Sequence, residues 1–188
     1  MATRWRHLQG DEELLAQCEV DRFRAHVQAF EETLSLAAGE PAGKPVRITS
    51  LQSVTGGVFN NSDILRIDYG EEYDVKSAAD EAESHVLDLK AKTGQVAYDR
   101  LKMWVDRKLL LPTKIEAYAA SGLLIKTIRF SDIKDFGGGI RRPATVETDS
   151  PMYKGYKSVM LYSALKRREL SDEVFTLTNL PRIEDLRK

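Results

Sequence analysis

The sequence predicts an α+β chain that is mainly β, an antiparallel sheet with a helix packed on it. Three observations lead there. Between Ala97 and Phe130, apolar and polar residues alternate in three extended runs separated by two turns, the period of half-buried strands. Residues 11–38 instead space Leu15, Cys18, Phe23, Val27, Phe30 and Leu34 mostly three to five apart, as an amphipathic helix does. Leu109, Leu110 and Leu111 are consecutive, as are Leu123, Leu124 and Ile125, so some strands need cover on two faces.

Taken in order, the predicted helix ends at Gly39 and Pro41, and residues 39–45 form a Pro/Gly-rich hinge. This divides the chain into an N-terminal helical segment, 1–42, and a β domain, 43–188. Val46 to Val54 reads as a strand, and Gly56-Gly57 as a turn. Phe59 to Leu65 reads as a short helix that Asn60, Asn61 or Ser62 caps. Strands follow at Tyr73 to Ala79 and Ser84 to Lys92, with Thr93-Gly94-Gln95 turning into the central meander. There Leu101, Met103 and Val105 oppose Lys102, Trp104 and Asp106. Pro112 suits the start of the next strand, which carries Ile115 and Ala117. Ser121-Gly122 is a hairpin turn, and the strand after it runs from Leu123 to Phe130. The stretch from Ser131 to Arg142, with Gly137, Gly138 and Gly139, suits a loose hairpin before a strand from Pro143 to about Thr148. A last strand spans Tyr156 to Leu165, with Val159 and Leu161 on one face. Phe175 and Leu177 to Leu180 form an apolar anchor before a charged tail.

The 188 residues suit one domain with a real core. A net charge of −1 argues against a nucleic-acid or anionic-membrane partner, although aromatic and basic residues interleave. One cysteine, Cys18, permits no intrachain disulfide. His7, His26 and His85 lack metal-ligand spacing. The glycine run before Arg141 and Arg142 lacks the strand, helix and Lys-Ser/Thr spacing of a phosphate loop. No serine sits in a nucleophile elbow. The expected site therefore contains no catalytic residue, metal or cofactor. No stretch approaches 18 consecutive apolar residues. The basic N-terminus lacks the apolar core of a signal peptide, so the chain as written is expected in the cytoplasm.

Several stretches carry a resemblance: Gly43 to Ile48, Gly56 to Arg66, Lys102 to Asp106, Leu111 to Tyr118, Gly122 to Ile128 and Asp172 to Leu180. In order and spacing they resemble the outer-membrane lipoprotein-sorting (LolA-like) family, from about Gly43 to Ile183. The match is to the C-terminal portion of that family, because the residues before Gly43 do not look like its first helix and opening strands. The resemblance implies a curved, incomplete antiparallel half-barrel lidded by helix. It also implies a periplasmic, non-catalytic carrier of lipid or lipoprotein acyl chains that meets membrane-associated donor and acceptor proteins. Alternation marks Leu87, Leu89, Met103, Val105, Ile115, Ile125, Val159 and Leu161 as candidates to line the groove. The alternative is a truncated relative without cargo, a structural or interaction module that forms a homodimer through an open sheet edge.

Overall fold

A computed structural model describes residues 51–54, 56–65 and 69–165. The predicted helix 11–38, the boundary near residue 42, most of the strand from Val46 and the C-terminal anchor lie outside the described residues.

Among the described residues, seven strands follow two short helices, α1 (Asn61–Leu65) and α2 (Tyr69–Glu72). The strands are β1 (Tyr73–Asp80), β2 (Ser84–Ala91), β3 (Arg100–Asp106), β4 (Pro112–Tyr118), β5 (Leu124–Asp135), β6 (Arg141–Asp149) and β7 (Lys157–Leu161). They form one open antiparallel sheet whose spatial order is the sequence order, β1 to β7. Every connection is a turn between neighbours, which antiparallel pairing permits and parallel pairing does not.

The register assigns each residue to a face, because directly paired residues of adjacent strands point the same way. One row crosses all seven strands: Ala78, Leu87, Met103, Ile115, Ile128, Thr148 and Ser158. Beside it runs Val75, Leu89, Leu101, Ala117 and Lys126. Leu87, Leu89, Leu101, Met103, Val105 and Ile115 on this face are almost wholly buried. The opposite face carries the row Asp88, Lys102, Glu116, Thr127, Asp149 and Lys157. The sheet thus has one apolar face and one charged face.

Four local expectations change. Residues 51–54 form a bend with a single bridge, Ser53 to Asn60, rather than the end of a strand. Leu109 and Leu110 lie in the β3–β4 turn, where the Asp106 carboxylate accepts from Lys108 N and Leu109 N at 2.8 and 2.7 Å and Leu110 takes a positive φ. Leu123 is exposed before β5. Neither apolar triplet is therefore a strand buried on both faces. β5 and β6 run past the predicted loose hairpin to a tight turn at residues 136–140, in which all three glycines have positive φ. Pro143 then sits inside β6, beyond the Thr145–Asp149 stretch that β7 pairs with, where a missing N–H is tolerated. Finally, β7 is shorter than predicted.

Candidate functional site

The buried face is closed, among the described residues, by the segments 51–54 and 56–65 and by α2, with Tyr98 of the β2–β3 loop packed beside them. Phe59, Ile64, Tyr69 and Tyr98 pack into the same cluster as Leu87, Leu89, Leu101 and Met103. Gly57 allows the bend at 54–59 to sit directly on β7. A Cβ there would fall 2.7 Å from Ser158 Oγ, the atom that accepts from Val58 N at 2.9 Å. Ser53 Oγ closes the bend by donating to Gly57 O at 2.6 Å.

Asn60 starts α1. Its Oδ1 accepts from Asp63 N at 3.1 Å, and its own N–H donates to Asp63 Oδ2 at 2.9 Å. This reciprocal cap satisfies groups that a helix end leaves free. It also aims the Asp63 carboxylate at the sheet. Lys126, which ends an otherwise apolar row, donates to Asp63 Oδ2 at 2.7 Å and to Val58 O at 2.9 Å. The Lys126 and Asp63 side chains are only 5% and 1% exposed. Tyr98 OH donates to Asp63 Oδ1 at 2.8 Å and accepts from Asn60 Nδ2 at 2.9 Å. Tyr73 OH in turn holds the Tyr98 carbonyl at 3.0 Å. Burial, and next the Asp63 charge, push the Tyr98 phenol far above its ordinary pKa. The Tyr69 and Tyr73 phenols are raised too, again chiefly by burial. All three stay protonated donors at neutral pH.

A cavity of about 30 Å³ adjoins this cluster, bordered by Asp63, Tyr69, Tyr98, Leu101, Ile115 and Ile128 among others. That is room for roughly one water molecule.

The eight predicted groove residues divide into three groups. Leu87, Leu89, Met103, Val105 and Ile115 lie together on the buried face. Ile125 falls at the register shift between β4 and β5 and packs against the edge of the same cluster. Val159 and Leu161 pair with Glu147 and Thr145, on the charged face, and are 51% and 73% exposed. The sheet does not bring them to the other six. Sequence reasoning missed Asp63, Tyr98 and Lys126. One signal was available, since Lys126 alternates in phase with Ile128 and Phe130, and a lysine on an apolar face requires a partner.

The charged face is an exposed network. Arg100 forks onto Asp88 through two 2.7 Å bonds. Trp104 lies beneath Lys102 and Lys114, at 4.8 and 3.4 Å from its ring centroid. Among the described residues, no three His, Cys, Asp or Glu side chains converge as metal ligands. No described helix is long and apolar enough to cross a membrane.

A family model described as an uncharacterized protein matches residues 41–182, about three quarters of the chain. The chain belongs to this family. No curated protein matches it. Its solved structural relatives include a LolA superfamily protein from Nitrosomonas europaea (27% identity, TM-score 0.62, 75% of this chain and 64% of that one). A putative outer membrane lipoprotein-sorting protein domain from Vibrio parahaemolyticus aligns at 21% identity and TM-score 0.62, over 71% and 58% of the two chains. A DUF1329 family protein from Desulfovibrio piger aligns at 22% and 0.53, over 70% and 56%. The fold is therefore LolA-like, and the chain spans about three fifths of the length of these relatives.

Proposed function

We propose that this family member is a non-catalytic carrier that holds lipid or lipoprotein acyl chains on the buried face of its sheet. It would exchange them with membrane-associated proteins in the periplasm. One observation carries the reading: an open sheet presents a continuous apolar face whose described cover is a bend and two short helices, not a second sheet. The likeness to a lipoprotein-sorting domain supports it. Leu87, Leu89, Met103, Val105 and Ile115, bordered by Ile125, would contact the chain. Ligand pockets measure some 300–1,000 Å³ as a rule, so the described cover must move to admit one. Burial at about 25 cal/mol per Å² of apolar surface supplies the driving force. Native mass spectrometry of the gently purified protein, followed by organic extraction, tests this. A stoichiometric lipid or fatty acid is expected, and a clean apo-protein that also fails to take acyl chains from vesicles would sink the carrier reading.

The exposed apolar side chains Met152, Tyr153, Tyr156, Val159 and Leu161, in and before β7, favour a second reading, an interaction module that pairs with its own copy. Sedimentation velocity over a hundred-fold concentration range discriminates: a dimer without lipid supports this reading, and a lipid-loaded monomer removes it.

A further inference from the structure

Lys126 and Tyr98 belong to the sheet and its loops, whereas Asp63 belongs to the cover. The two sheet-borne donors converge on one carboxylate, Lys126 on Oδ2 and Tyr98 on Oδ1, at 2.7 and 2.8 Å. The lysine ammonium also lies 5.5 Å from the Tyr98 ring centroid, so the pair is a compact unit. If α1 lifts to admit an acyl chain, Asp63 leaves with it. Lys126 would then remain as a cation in an apolar row beside Ala117 and Ile128. An uncompensated charge there is strongly disfavoured, and a neutral or cationic ligand would leave it so.

We infer that Asp63 is an internal stand-in for the ligand's head group: the protein binds a single-chain amphiphile with a carboxylate head, which replaces Asp63 on Lys126 and Tyr98. This rests on the carrier reading and adds the ligand's charge and the residues that read it. A carboxylate fits because it presents two oxygens to two donors, as Asp63 does. Charge-assisted hydrogen bonds are about twice as strong as neutral ones, and each 1.4 kcal/mol is ten-fold in affinity.

The test is displacement of the neutral apolar dye N-phenyl-1-naphthylamine from the full chain. The competitors are laurate, dodecyl phosphate and dodecyltrimethylammonium, all below their micelle concentrations. Laurate is expected to compete at concentrations about ten-fold or more below those of the cation, and below those of dodecyl phosphate. In Lys126→Met the gap should close to within about two-fold while the dye still binds. Asp63→Asn, which frees Lys126 without removing it, should tighten laurate several-fold and leave the cationic amphiphile unchanged. Equal competition by laurate and the cation in the native protein overturns the inference, and so does a gap that survives Lys126→Met. Dodecyl phosphate outcompeting laurate overturns the carboxylate assignment. A native protein that binds neither dye nor amphiphile overturns the carrier reading itself. Should Lys126→Met not fold, the native ranking decides.

Discussion

The two faces of the sheet use the same chemistry to opposite effect. On the charged face, lysines, arginines and carboxylates pair in the open: Arg100 with Asp88, Lys114 with Glu116, Lys157 with Glu147, and Arg129 with Asp149 and Glu147. On the buried face, Asp63 pairs with Lys126 almost out of reach of solvent, and this pair ties the cover to the sheet. Exposed pairs are solvated whether or not they meet, so any one is nearly dispensable. The buried pair has no such reserve, because losing one partner strands the other. Exposure, more than the identity of the residues, sets what an ion pair is worth.

The sharpest way to break that contrast is Asp63→Ala, expected to cost about 3–5 kcal/mol of unfolding free energy in urea titration. Replacing the whole pair, Asp63→Leu with Lys126→Met, should recover most of that loss, since an apolar pair has no stranded charge. A double variant as unstable as the single one would show that the network's other hydrogen bonds dominate. Leu87→Ala, in the row across all seven strands, comes next at about 2–5 kcal/mol through the cavity it leaves. Gly57→Ala sets its new Cβ against Ser158 Oγ and should cost about 1–3 kcal/mol by thermal unfolding. Ser158→Gly in the same background should return part of that. Arg100→Ala on the charged face should change stability by less than about 1 kcal/mol, and high salt should shrink even that.

The smallest effect is a dependence on acid. Burial pushes the Glu116 carboxyl up, but hydrogen bonds from Tyr118 and Lys114 outweigh it, and its pKa lies below the usual value. The Asp106 carboxyl is also lowered, by the Leu109 and Lys108 amides. The reciprocal partner, Tyr118, is pushed up to about 12, chiefly by its hydrogen bond to Glu116. A depressed carboxyl stabilises the fold fully above its unfolded pKa, and that contribution is lost as pH falls through the folded value. Stability should therefore hold from neutral pH to about 5 and decline below it. Glu116→Gln should flatten part of the decline when urea midpoints are compared across that range.

The sheet was legible in the sequence because alternation is a local property. Leu101, Met103 and Val105, then Ile115 and Ala117, mark their strands without knowledge of the rest, and Gly122 marks the turn between β4 and β5. The same rule placed five of the groove candidates on one face. It failed for Val159 and Leu161, since a short strand shows two apolar residues in phase but not which face they join. Register decides that, through Glu147 and Thr145. The leucines at 109–111 read as buried strand although Asp106 folds two of them into a turn, a side-chain effect that hydropathy does not record. The Asp63, Tyr98 and Lys126 cluster was out of reach because its members come from three segments. Asn60, Asn61 and Ser62 were readable as caps, but the target of the neighbouring carboxylate was not.

The docking of the bend at residues 54–59 on β7 bears on the order in which the molecule can assemble. Each strand pairs with the one just made, so the meander can zip up hairpin by hairpin, a local and comparatively rapid route for a β protein. Val58 and Ser158, however, are 100 residues apart. Lys126 of β5 can hold Val58 O and Asp63 earlier, but the bend cannot complete its docking until β7 exists. Pulse-labelled hydrogen exchange during refolding is expected to protect β2–β5 amides before that of Val58, which makes docking of the bend on β7 a late event.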